Sequence, residues 1–220
     1  MKLQVGDPRI KWEAFRDTQD EKEVQVTEGE ETRTVGQTTE EVQAVNYNGR
    51  SAWRREQVLR SDDLGDRRVV LLVDKRTFAP LYVEARFSRF VDQYDYLEKP
   101  LEEPAFDLYA VEMMLRLLPL AEGFAAEISC YQVAERKTVV VSVQVQGREP
   151  VATGRREEVD AWRVAVDFGY AEQEYWVTVE PQELLKQRNV LHDGRRMEFV
   201  RVDPPEVVEQ EVERGEELDS

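Results

Sequence analysis

A single histidine, His192, and a single cysteine, Cys130, are all the imidazole and thiol this chain holds. A Ser-His-Asp arrangement needs a histidine held by a carboxylate and touching a nucleophile. His192 instead stands directly before Asp193-Gly194, at what reads as an exposed hairpin end, and the chain has no Gly-x-Ser-x-Gly elbow. It reads as a solvated turn residue. Cys130 closes the alternating run Ala126, Ile128, Cys130 and reads as a buried thiol, because a reactive one wants exposure and basic neighbours. One cysteine forms no intramolecular disulfide, and one cysteine with one distant histidine builds none of the common structural zinc sites.

The turn Ser61-Asp62-Asp63-Leu64-Gly65-Asp66 crowds carboxylates together, but it lacks the alternating ligands and closing glutamate of an EF-hand loop. It reads as a polar turn, and no metal is expected. No Gly-x-x-x-x-Gly-Lys or Gly-x-Gly-x-x-Gly run is present, so nucleotide chemistry lacks its phosphate cradle and no cofactor is expected. Paired carboxylates can hydrolyse glycosides. With 46 acidic residues, however, pairs arise by chance on any sheet, and no catalytic residue is assigned. A non-enzymatic protein is expected, with a carboxylate-dependent hydrolase as the lesser alternative.

The elements that would position a site are mostly strands. In 138–146, Val139, Val141, Val143 and Val145 share one face, with Ser142, Gln144 and Gln146 on the other. In 160–168, Trp162, Val164, Val166 and Phe168 oppose Arg163 and Asp167. A period of two with one apolar face predicts half-buried strands. Residues 69–73 and 174–179 are apolar throughout or on both faces and predict central strands. Asn48-Gly49, between 41–47 and 50–59, and Asp193-Gly194, between 184–191 and 195–202, predict type I′ hairpin turns. Ile10, Trp12 and Ala14 alternate and are read as a strand, and the charged, Thr-rich stretch 19–40 as solvated edge strands.

One segment differs. Residues 105–118 are almost wholly apolar and rich in Leu, Met and Ala, which predicts a helix. Its polar residues Asp107, Glu112 and Arg116 do not share a face, so most of its circumference must be covered. It is too short to span a bilayer, which takes about 20 residues. The cover is therefore sheet, giving about six strands, the helix, then about seven more. Successive strands with short connections predict antiparallel neighbours.

A net charge of −16 repels phosphate backbones and anionic membrane surfaces, so neither nucleic acid nor membrane insertion is expected. The N-terminal residues show no apolar signal-peptide core. As it stands the chain reads as cytoplasmic, or extracytoplasmic if a leader has been removed. Residues 203–220 open on Asp203-Pro204-Pro205 and are strongly acidic, which predicts a disordered tail after a single β-rich domain over 1–202.

Several of these pieces stand in a suggestive order. Asp74-Lys75-Arg76-Thr77-Phe78-Ala79-Pro80 lies between two strands, ahead of the apolar segment with Leu115-Arg116. Gly147-Arg148-Glu149-Pro150, Asp160-Ala161-Trp162-Arg163, Tyr175-Trp176-Val177 and the Asp193-Gly194 pair follow. Over residues 65–202 this order resembles the bacterial family of unknown function DUF3108. Its fold is similar to that of the lipoprotein localisation factors. The resemblance implies a strongly curved antiparallel sheet, a half-barrel or open barrel, wrapped around a buried helix. Many members look exported, and the family brings no catalytic residues.

The expected architecture is thus mainly β, with one buried apolar helix. The aromatic and apolar inward faces give two functional expectations. The first is an apolar ligand (lipid, acyl chain or apolar peptide) held between sheet and helix by Phe106, Tyr109, Met113, Trp162, Val164 and Val166. The second is a protein partner bound through a sheet edge or the acidic tail.

Overall fold

The computed structural model describes residues 1–87, 90–152, 158–191 and 193–202. The strands in chain order are β1 (Lys2–Leu3), β2 (Thr18–Glu28), β3 (Glu31–Tyr47), β4 (Arg50–Arg60), β5 (Arg67–Asp74), β6 (Pro80–Phe87), β7 (Phe90–Asp95) and β8 (Phe106–Asp107). After the helix α1 (Val111–Leu115) come β9 (Ala125–Gln132), β10 (Lys137–Val151), β11 (Val159–Asp167), β12 (Glu172–Thr178), β13 (Leu184–Val190) and β14 (Arg196–Arg201). His192 and the segment 203–220 lie outside the described residues.

All of these strands join one sheet in the order β1-β9-β10-β11-β12-β13-β14-β2-β3-β4-β5-β6-β7, with β8 also on β9. Two antiparallel meanders, β2 to β7 and β9 to β14, are thus joined through the β14–β2 pair, Phe199 opposite Val24. The sheet is open. Among the described residues no strand pairing closes it; Tyr94 and Tyr96, at the β7 end, lie 5.0 and 6.0 Å from Tyr131 of β9, ring centre to ring centre. The mainly β, curved-sheet architecture expected from the sequence is present.

The apolar segment 105–118 is not one helix. Phe106–Asp107 pairs in parallel with Cys130 and Tyr131 of β9. A 3-10 turn, Leu108–Ala110, follows, and only Val111–Leu115 is α-helical. Asp107 caps this turn by accepting the Tyr109 N–H at 2.7 Å, so a strand end and a helix start share one residue. The burial expectation holds: Val111, Met113, Met114, Leu115, Leu117 and Leu118 are almost wholly buried. They plug the concave side.

Other local expectations also shift. Trp12 sits in a 3-10 turn, Trp12–Ala14, rather than a strand; local N–H groups are spent on turn bonds such as Ala14 N–H to Lys11 O at 2.9 Å. Trp12 stacks on Phe78 with ring centres 4.9 Å apart. The stretch 19–40 does form strand, but β2 lies between β14 and β3 and is not an edge; its inward Val24 and Val26 pin the register. The Asn48-Gly49 turn has positive φ at both residues, as type I′ requires. Of Asp193 and Gly194, only Gly194 has positive φ, within a longer connection closed by Leu191 N–H to Arg195 O. Cys130 is fully buried, and burial pushes its thiol well above the usual range. In the turn at 61–66, Asp63 pairs with Arg33 and the Ser61 hydroxyl accepts the Leu64 N–H.

Candidate functional site

One end of the concave side is filled by the plug; the other holds a cleft of about 350 Å³. The period-two rule places its walls. From β4, Arg55, Gln57 and Leu59 face inward together. Cross-strand pairing then carries rows of side chains around the cleft: Leu59, Arg67 and Phe87 on one wall, and Tyr175, Gln187 and Phe199 on the other. A second row on that wall runs Gln173, Asn189, Met197. Leu108, Tyr109, Val111 and Glu112 of the plug form the floor.

The floor is built on a buried charge network. Arg55, 2 % exposed, donates through Nε to Glu40 at 2.8 Å and through an Nη to the Tyr109 carbonyl at 2.8 Å. Its other Nη donates to both Glu40 and Glu112. Gln57 adds N–H bonds to Glu40 and Glu112 at 3.1 and 3.2 Å. One guanidinium from β4 thereby ties β3, β4 and α1 together. Burial works to raise the Glu40 carboxyl, but the Arg55 and Lys22 charges outweigh it and hold it at about 2. Burial likewise works against the Arg55 charge, and its two carboxylates more than offset this.

A second buried carboxyl behaves oppositely. Asp107 has no exposed surface, and burial pushes it from 3.8 up to about 6, even though the Tyr96 hydroxyl and Tyr109 N–H favour its charged form. A folded pKa above the unfolded one gives stability that is complete below pH 3.8 and is lost as pH rises through about 6. The gap corresponds to about 3 kcal/mol. Urea unfolding of the wild type should therefore weaken between pH 4 and pH 7 relative to Asp107→Asn. Parallel pH dependence in the two proteins would refute this role.

A family model described as a protein of unknown function, DUF3108, matches residues 23–200. The chain belongs to the DUF3108 family. The match carries the resemblance seen over residues 65–202 back to residue 23, across β2, β3 and β4. Among solved structures, a β-barrel-like protein of the domain of unknown function DUF1849 from Brucella abortus is similar, with a TM-score of 0.51 and 12% identity. The alignment covers 85% of this chain and 96% of that one. At such identity the likeness is one of fold. No curated protein matches.

In this DUF3108 chain the six residues expected to line a ligand site separate. Phe106, Met113, Val164 and Val166 are packed in the main core, and Trp162 lies half-buried against the same core. Tyr109 alone of the six reaches the cleft. No local motif in the sequence marks the cleft's polar wall residues. The available signal was the alternation of Arg55, Gln57 and Leu59, a mixed face that reads as solvent-facing until the sheet curls around it.

Proposed function

We propose that this chain is a non-enzymatic binding protein that takes the apolar chain of a lipid or acyl ligand in the cleft between sheet and plug. The observation that carries this reading is the cleft itself: about 350 Å³, partly open to solvent and floored by Leu108, Tyr109, Val111 and Glu112 of the plug. That volume falls at the lower end of small-ligand sites. Leu59, Phe87, Phe168, Met197 and Phe199 offer apolar wall, and Gln173, Gln187 and Asn189 offer neutral polar groups. A hydrolase reading is less well supported. A general acid needs a carboxyl that keeps its proton near neutral pH and reaches the substrate; Asp107 is raised to about 6 but does not line the cleft, and the lining Glu112 is tied to Arg55.

Native mass spectrometry with single-chain alcohols and acids should show one bound molecule per chain. Met197→Trp, which fills the cleft, should weaken that binding roughly tenfold or more. Absence of binding by the wild type, or binding indifferent to Met197→Trp, would sink the proposal.

A further inference from the structure

We propose that the cleft selects a single-chain amphiphile with a carboxylate head, and that Arg67 receives the head. This rests on the binding reading above. Two arginines line the cleft, and they differ in kind. Arg55 is neutralised by Glu40 and Glu112. Arg67 donates at 2.9 Å to the Gln57 Oε1, a neutral group, and among the described residues no carboxylate lies within ion-pair distance of it. An inward-facing guanidinium with no ion-pair partner among the described residues is a ready anion receptor.

The opposite wall supplies donors too. The Gln173 Oε1 already accepts from the Tyr175 hydroxyl and from Gln187 Nε2, and the Asn189 Oδ1 accepts from Gln187 Nε2. Their oxygens are occupied, while the Gln173 and Asn189 amide N–H groups donate to no protein group among the described residues. The cleft's own carboxylates are engaged: Glu112 by Arg55, and Asp66 by the Ser61 N–H. The polar part of the cleft is thus weighted toward donors.

Size and charge narrow the ligand. At about 350 Å³ the cleft lies at the low end of small-ligand sites, with room for a small single-chain ligand. A carboxylate matches a single guanidinium fork, whereas a phosphate dianion would bring surplus negative charge beside Glu112. An extended peptide is disfavoured, because the walls come from β4, β5, β6, β12, β13 and β14, each already paired on both sides. No strand edge is open there to receive it.

The test is calorimetric titration of the full chain at neutral pH with decanoate and with decanol, for the wild type and Arg67→Gln. The wild type should bind decanoate roughly ten- to a hundredfold tighter than decanol, the range expected for a charged hydrogen-bonded pair. Arg67→Gln should bring that ratio to about one. Equal affinities in the wild type would overturn carboxylate selection while leaving the binding reading intact. A preference that survives in a folded Arg67→Gln would overturn the role of Arg67. Failure of both amphiphiles to bind the wild type would remove both readings. The wild-type ratio needs no variant, so the proposal stays falsifiable even if Arg67→Gln does not fold.

Discussion

Arg55→Met is expected to cost about 3–5 kcal/mol of folding stability, the range for breaking a buried ion pair from one side. The reason is what it leaves behind. Glu40 and Glu112 lose their guanidinium, and the Tyr109 carbonyl loses its donor. Glu40 is 5 % exposed, so water cannot compensate. The pH dependence should change sign as well. In the wild type, Glu40 has a folded pKa of about 2 against an ordinary 4.5. Its contribution is present above pH 4.5 and is lost as pH falls toward 2. Without Arg55, burial dominates and raises the carboxyl, so the variant should gain stability on mild acidification. Adding Glu40→Gln to Arg55→Met should recover part of the loss, because the uncompensated charge is gone. Urea unfolding at two pH values checks all of this. A single-variant loss below about 1 kcal/mol would show that the network is not what holds the plug to the sheet.

Gly36→Ala is expected to cost about 2–3 kcal/mol, although it adds one methyl group. Gly36 lies in β3 opposite Val24, at a register shift in the β2–β3 pair. A Cβ there would come 2.4 Å from the Arg60 carbonyl oxygen and 2.7 Å from the Ser61 Cβ. The obstacle is backbone, and it is held in place: the Ser61 hydroxyl donates to the Val35 carbonyl at 2.7 Å. Relief would require the end of β4 and the turn after it to move; Leu64 of the cleft lies in that turn, and Leu59 and Arg67 flank it. The substitution should therefore lower both the unfolding midpoint and ligand affinity. Thr34→Ala, at an exposed neighbour in the same strand, should stay within about 0.5 kcal/mol of wild type. If Gly36→Ala matches that control, the close approach has no energetic weight.

The strands were legible because period two is a local property. Val141, Val143 and Val145 alternate in sequence and are buried in the structure. The Asn48-Gly49 turn was legible because few residues tolerate positive φ. The cleft was not, for a reason visible in β4. Alternation shows that Arg55, Gln57 and Leu59 share a face, but not which face the sheet curls around. A polar face is ordinarily the solvated one. Here Arg55 and Gln57 point inward, because Glu40 and Glu112 arrive from β3 and α1 to satisfy them.

The segment 105–118 shows the same division. Its composition alone determined that it must be covered, and it is: Met113, Met114 and Leu115 are buried on the concave side. Its conformation was decided by tertiary partners. The β9 edge recruited Phe106 and Asp107 into a parallel pair, and the Asp107 carboxyl then capped the turn that follows. An apolar run without a clear period carries the demand for burial but not the choice between ladder and helix. Burial is a property each side chain brings with it. Hydrogen-bond partners, and the curvature that makes one face an interior, exist only once distant strands have met.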